Sequence, residues 1–378
     1  MKLLITSVGS RVSKHILDVL EFPGVSRRSL VRIVGTNSMA DSPTNFRCDR
    51  CYLVPETAAA GYAGRMREIL LEERPDLILC GRDADTLALS RLREQHPGLP
   101  GVLPVGTPQS ALIGLDKWQT WQFSRRHSLP CAETFLARAS GDAAALQAFC
   151  SKTGYPLVAK PAQGFASRGV YFLRDARDVQ AFAGREGYLL QEYLGDPGTL
   201  EPYFESLAGP PPLSAGAPDA GYYACQTVIA PSGDPAPPFV TFHPHEQGAP
   251  SQMITRVMDP SLDALSLAYG LALAEEGVRG PVNASFRRDR LGNWKLQELN
   301  LRNTGSTLAR FLLGMDELYL IARDFVPDAA FPEMRLAESD RPGRVGRHDA
   351  TYLVSERAAA TLTSAGTWSS GDISGGTA

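Results

Sequence analysis

GPVNASFRRDRLGNWKLQELNLRNTGST, residues 280 to 307, is the stretch on which the fold turns. Its two halves carry the β-branched, aromatic and aliphatic content of paired strands, and Asp289 to Asn293 supplies turn chemistry between them, so a hairpin is expected. On the second strand a period of two puts Trp294, Leu296, Glu298, Asn300 and, if the strand continues, Arg302 on one face. If Ser285 pairs with Glu298, then Asn283 pairs with Asn300 and both point to that face; a slip of two residues keeps the parity.

Such a row has a definite chemistry. A carboxylate and an amide oxygen two residues apart can hold Mg²⁺ that also binds phosphate oxygens, and Arg302 adds a planar fork for phosphate. The competing reading is a solvated sheet edge. Upstream, Lys160 ends the apolar run Val158-Ala159-Lys160-Pro161, and an ammonium there is costly to bury without an anion. In the loop that follows, Ala162 to Gly169, Gly164 and Gly169 permit close backbone approach to phosphate, while Ser167 and Arg168 add donors. Taken alone, a Lys-Pro beside a glycine-rich loop is more often a plain turn. Leu189-Leu190-Gln191-Glu192-Tyr193-Leu194 reads as a strand whose end could bond a flat heterocycle through its main chain, or as an ordinary structural strand.

The surroundings set the frame. Residues Lys2 to Thr6, Val31 to Gly35 and Leu77 to Cys80 read as strands alternating with helices that end near Leu20 and run from Tyr62 to Glu73, a parallel sheet of βα units. The turn Ser7-Val8-Gly9-Ser10 lacks the three-glycine dinucleotide fingerprint and is read as packing. A helix with Trp118, Trp121 and Phe123 starts at Asp116-Lys117, and from Tyr155 the order strand, glycine loop, strand, helix, strand suits an antiparallel sheet. Residues 195 to 220, rich in Pro, Gly, Ala and Ser, read as a long surface loop. Strands at Tyr222 to Ile229 and Phe239 to His243 and a helix from Pro260 to Gly277 follow. A strand at Ala350 to Val354 precedes a frayed Gly/Ser/Thr-rich end.

The 378 residues, 43% hydrophobic, suffice for two or three domains. With 38 Lys and Arg against 41 Asp and Glu there is no single-sign block, so the expected partners are small molecules, not nucleic acid. No run reaches the length of a membrane span, and the opening MKLLITSVGS suits a first strand better than a signal peptide. The six scattered cysteines suit a reducing cytoplasm, and the Cys48/Cys51 pair lacks the second ligand pair of a zinc site.

In this order, MKLLITSVGS, Asp116-Lys117, YPLVAKP with its glycine loop, LLQEYL and LQELNLRNTGST resemble the ATP-grasp superfamily, in the branch with carbamoyl-phosphate synthetase, biotin carboxylase and the pyrrolysine-pathway ligase. The resemblance covers roughly residues 1 to 325. It implies an α/β, Rossmann-like pre-ATP-grasp domain over residues 1–115, then an α+β ATP-grasp fold of two subdomains over 116–330. Within the latter, 116–194 would carry lid and hinge, 195–220 an inserted loop, and 221–330 the metal and substrate groups; 331–378 would be a partly flexible extension.

It also implies an ADP-forming carboxylate–amine ligase that works through an acyl phosphate, with ATP and Mg²⁺ (or Mn²⁺) as cofactors. Lys117 and Lys160 would hold phosphates, Gly164 and Ser167 belong to the lid, and Gln191 with the backbone of Glu192 and Leu194 would read adenine. Glu298 and Asn300 would hold magnesium, and Arg302 would steady the transferring phosphoryl group. Relatives commonly place a metal ligand where Ser285 stands, so a second ion would fall to Asn283 or be missing. The ribose-binding glutamate corresponds to Tyr222, with Glu201 or Asp196 as substitutes. The acid and amine would meet His243, His245, Glu246, Gln247, Arg256 and Asn283, and many relatives are homodimers. A bicarbonate-using carboxylase or carbamoyl-phosphate-type enzyme, and a nucleotide-binding regulator without turnover, remain as alternatives.

Overall fold

The computed structural model describes residues 1–23, 27–136, 143–164, 169–182, 184–207, 221–244, 253–334, 343–347 and 356–370. Four parallel strands, β1 (Lys2–Ile5), β2 (Arg32–Asn37), β3 (Arg50–Leu53) and β4 (Leu77–Leu79), form the first sheet in the order β3-β2-β1-β4. Helices α1 (Arg11–Leu20), α2 (Tyr62–Glu73) and α3 (Asp83–Gln95) connect or follow them. Apolar faces of β1 and β2 are buried on both sides, Leu3, Ile5 and Ile33 against α1 and Leu4 and Val34 against α2, which is why these strands read as continuous hydrophobic runs. β3 escaped the sequence reading; it carries Cys51, and Cys48 just before it is equally buried, both thiols free. The Ser7 turn is packed as expected: the Thr6 and Ser7 hydroxyls each donate to buried Asp85 at 2.7 Å, and Ser10 caps α1.

After α4 (Pro108–Leu115), α5 (Lys117–Arg126) leads into a small antiparallel sheet ordered β5-β8-β6-β7, from β5 (Thr134–Leu136), β6 (Leu157–Pro161), β7 (Tyr171–Leu173) and β8 (Tyr188–Glu192). Helices α6 (Ala143–Thr153) and α7 (Ala176–Phe182) cover one face, burying Leu157, Ala159, Leu173, Val179 and Leu190. Residues 197–207 are not loop as expected: a 3-10 turn, Pro197–Leu200, runs into α8 (Glu201–Leu207). Asp196 followed by Pro197 is a helix-start signal that the surrounding turn residues masked, and its carboxylate accepts from the Gly198 N–H at 2.9 Å.

The largest sheet is antiparallel, with β9 (Tyr222–Ile229), β10 (Phe239–His243), β11 (Met253–Arg256), β12 (Gly280–Arg288) and β13 (Trp294–Asn300) in the order β13-β12-β9-β10-β11. α9 (Pro260–Glu275) lies on its core face against Cys225, Val240, Val282, Ala284, Phe286, Leu296 and Leu299. Gly280, the first residue of β12, has a positive φ, and a Cβ there would fall 1.9 Å from the Pro104 carbonyl oxygen, so the position needs glycine. α10 (Thr307–Leu312) and α11 (Glu317–Phe325) close one end of the opposite face over Val228, Phe239 and Ile254.

The C-terminal stretch joins both large sheets. β14 (Arg344–Gly346) pairs with β11, α12 (Glu356–Ala365) packs on the first core, and β15 (Thr367–Ser369) adds antiparallel to β3 with Trp368 buried. The strand expected at Ala350 to Val354 lies outside the described residues. Among the described residues no helix is long and apolar enough to cross a membrane.

Arg27, fully buried between the Phe311 and Phe331 rings, donates from Nη1 to Asp316 Oδ1 at 2.9 Å and from Nη2 to Asp316 Oδ2. The same carboxylate caps α11. Asp316→Ala would strand that charge, so a loss of about 3–5 kcal/mol is expected in denaturant unfolding; a loss under about 1 kcal/mol would show that Arg27 finds another partner.

Candidate functional site

The hairpin register is Asn283 with Asn300 and Ser285 with Glu298. The next pair is Phe286 with Leu296, which leaves Gln297 unmatched as a β-bulge. The uninterrupted period of two expected for β13 therefore fails. Leu296 joins Leu299 in the core, and Trp294 packs at the rim of that core against Tyr223, whereas Glu298 and Asn300 face the other way. One extra residue sorts apolar and polar groups onto opposite faces. Because Val282, Ala284 and Phe286 point into the core, Asn283, Ser285 and Arg287 share the Glu298 face, joined across the register by Gln226 and Tyr222 of β9. Asn283 donates to Gln226 Oε1 at 3.1 Å.

On the small sheet, Leu157, Ala159 and Leu190 enter the core, so Lys160 and Gln191 (opposite Val158) point out of the other face. Lys160 is 6% exposed, and burial drops its ammonium from 10.5 to about 8; Glu298 opposes that shift, while Lys117 and Arg287 add to it. Gln191 is also buried and donates to Thr134 Oγ1 at 3.0 Å.

Lys117 joins the two surfaces. Asp116 caps α5 by accepting from the N–H groups of Trp118 and Gln119, which places Lys117 at the helix start. Its Nζ donates to the Gly164 carbonyl at 3.2 Å and lies 3.8 Å from Glu298 Oε1. A lysine, the glycine loop of the small sheet and the carboxylate of the large sheet thus meet at one place. A second tie, not foreseen, is Lys295, whose Nζ donates to both Glu192 oxygens at 2.7 and 2.8 Å. Glu192 N–H, which was expected to help read adenine, donates to Glu133 O at 2.8 Å and is thus already committed. Leu194 is buried beside it.

Arg302 Nη2 donates to Asn300 Oδ1 at 2.7 Å and to Asp83 Oδ2 at 2.6 Å, and Nη1 to Asn303 O. Asp83 belongs to α3 of the first sheet, a partner no pattern in the sequence signals. The residues expected to meet substrate are spread out. His243 is buried, its ring stacked on Tyr222 at 4.8 Å and Nε2 3.0 Å from Thr241 Oγ1. Arg256, 8% exposed, lies over the Phe239 ring and donates to Val240 O at 2.9 Å, so its guanidinium serves internal packing. Asp196 is engaged as a cap, and Glu201 is exposed on α8. Ser167, Arg168, His245, Glu246 and Gln247 lie outside the described residues.

No family model matches the chain. A curated relative, the formate-dependent phosphoribosylglycinamide formyltransferase of Janthinobacterium sp. (strain Marseille), is 26% identical over 152 residues, 40% of this chain and 35% of that protein. The chain thus spans about a third of the length of the curated relative it matches. The biotin carboxylase domain of Hydrogenobacter thermophilus 2-oxoglutarate carboxylase, solved with MgADP, ADP and bicarbonate, has a TM-score of 0.64 at 15% identity, over 86% of this chain and 69% of that one. Staphylococcus aureus N5-carboxyaminoimidazole synthetase with ADP gives 0.63 at 10% identity (91% and 81% covered), and Bacillus licheniformis L-amino acid ligase 0.59 at 14% (86% and 74%). These are ATP-grasp proteins, and the chain has their fold.

A folded-state pKa of about 8 against 10.5 means that the charged Lys160 destabilises the unliganded chain fully below pH 8, and that the penalty fades as pH rises toward 10.5. Lys160→Met is therefore expected to stabilise the unliganded protein at pH 7 by on the order of 2–3 kcal/mol. In unfolding curves the gain should shrink across that pH window; a gain independent of pH would contradict the desolvated ammonium.

Proposed function

We propose that this chain, built on the ATP-grasp fold, is an ADP-forming ligase that activates a small carboxylic acid as an acyl phosphate and joins it to an amine or amino acid. The observation that carries the reading is the position of Lys117 between the Gly164 carbonyl and Glu298, beside buried Lys160. Two ammonium groups face one carboxylate, and a nucleotide polyphosphate is an anion that fits such a group of charges. The solved neighbours with ADP bound support the same reading. The three sheets support divisions at residues 115/116 and 330/331, although β14 and β15 tie the last stretch to the rest.

In this reading Lys117 and Lys160 hold the phosphates under the loop with Gly164 and Ser167, and the adenine lies along Gln191, Glu192 and Leu194. Glu298 and Asn300 are hard oxygen donors two residues apart on one face beyond the bulge, and they fit one Mg²⁺; the Asn300 oxygen would share itself with Arg302. When bound, Mg²⁺ supplies charge neutralisation to the phosphate oxygens. A carboxylate oxygen of the acid attacks the γ-phosphorus, the bond to the β-phosphate bridging oxygen breaks, and ADP leaves. Lys160 and Arg302 stand where charge builds on the moving phosphoryl group. The amine nitrogen then attacks the acyl carbon, the carbon–oxygen bond breaks, phosphate departs, and the amine proton passes to phosphate or solvent. Asn283 and His243 lie farther along the same sheet face and are the groups we assign to substrate, with Arg256 supporting from within. Six free cysteines fit a cytoplasmic protein, and the Hydrogenobacter domain, a dimer, makes a homodimer our expected assembly.

ATP hydrolysis measured across pooled acids and amines tests the reading: an acid plus an amine should stimulate release of ADP, whereas bicarbonate dependence would indicate a carboxylase and AMP would indicate adenylation. Lys160→Ala and Glu298→Ala should each lower kcat on the order of 10²-fold or more; near-normal turnover in both would refute the assignment.

A further inference from the structure

Two acids stand in the first turn of α3, and they are used differently. Asp85 is fully buried and is spent within the first sheet's own layer, where it accepts from the Thr6 and Ser7 hydroxyls at 2.7 Å and the Thr57 hydroxyl at 2.8 Å. Asp83 reaches out of that layer. Its Oδ2 accepts from Arg302 Nη2 at 2.6 Å, a residue 219 positions away in the chain. An acid in a first helical turn is favoured wherever the helix lies, so its place on α3 does not mark Asp83. Its partner does.

Arg302 lies just past Asn300, the last residue of β13, and three oxygens hold its guanidinium: Asn300 Oδ1 at 2.7 Å, the Asn303 carbonyl at 2.9 Å and Asp83. The first two are neutral and local to the same loop. Asp83 is the charged one among the described residues, and it comes from a different layer. Because the Arg302 side chain is only 12% exposed, water is a poor replacement for that carboxylate. The Nε–H of Arg302 makes no hydrogen bond, so the guanidinium keeps a donor for a further oxygen. An ion on Glu298 and Asn300 would share the Asn300 oxygen with Arg302, and like charges at that range repel. A carboxylate bonded to the guanidinium offsets this repulsion and keeps the fork in place.

Resting on the nucleotide reading above, we propose that Asp83 is a positioning residue, which acts through Arg302 by holding its guanidinium toward the terminal phosphoryl group of the bound nucleotide. Through this bond the first sheet's layer sets the aim of a group carried by the largest sheet. Charge and aim predict opposite signs. Removing a carboxylate beside a polyanion would by charge alone tighten binding, whereas losing the aim of Arg302 weakens the contact with the terminal phosphate.

Calorimetry with Mg²⁺ and either ADP or the non-hydrolysable analogue AMPPNP separates the two, since only AMPPNP carries the terminal group. Asp83→Ala should weaken AMPPNP relative to ADP by roughly tenfold, the effect of losing one charge-assisted hydrogen bond. Asp83→Asn keeps an acceptor oxygen for Nη2 and should recover part of that loss. In an Arg302→Met background, Asp83→Ala should change the ratio no further. An unchanged or raised preference for AMPPNP in Asp83→Ala, or the same loss with and without Arg302, overturns the inference and leaves the nucleotide reading intact. Wild-type protein that binds neither nucleotide overturns both.

Discussion

The contact of one ammonium with two partners organises the molecule: Lys117 bonds the Gly164 carbonyl of the small sheet and faces Glu298 of the large one. Its position follows from Asp116, which caps α5 and so fixes where the helix starts. Around it the charges do not balance. Lys160 is desolvated, Lys117 and Arg287 press on it with like charge, and Glu298 is the larger of the groups that oppose them. Under the function proposed above, such an arrangement would be preorganised for a polyanion, because the cost of gathering cations in a poorly solvated place is met in the folded state before any ligand arrives.

The bulge at Gln297 is the second constraint. Without it, Leu296 and Glu298 would share a face, and either the core would lose a leucine or the site its carboxylate. Inserting one residue lets Leu296 and Leu299 both enter the core while Glu298 and Asn300 turn toward the cleft. On the same strand Lys295 reaches back to Glu192 at the end of β8, so the strand that presents the acid is also tied to the opposite sheet.

The first sheet contributes more than a platform. Asp83 at the start of α3 holds Arg302, which in turn holds the Asn300 oxygen. Arg27 locks to Asp316 at the start of α11, and β14 and β15 stitch the C-terminal stretch to the largest and the first sheet. The groups on the Glu298 face are therefore braced from both ends of the chain.

Much of this was legible in the sequence because it is local. The period-two pattern and the turn at Asp289 to Asn293 placed Asn283, Ser285, Glu298 and Asn300 on one face, and the strand ends at Lys160 and Gln191 followed from apolar runs. The bulge was not legible, since Leu296 and Leu299 are apolar residues that fit either parity until a core exists to claim them. Nor were β3, β11, β14 and β15, strands of three or four residues that pairing partners distant in sequence stabilise. Arg256 was expected to meet substrate and lies buried over an aromatic ring. By itself the sequence determined the elements and the chemical types at their ends, because those depend on neighbouring residues. Only the tertiary structure decided that Lys117, Lys160 and Glu298 act on one another and that Asp83 holds Arg302, because Coulomb and hydrogen-bond energies depend on distances that chain separation does not encode.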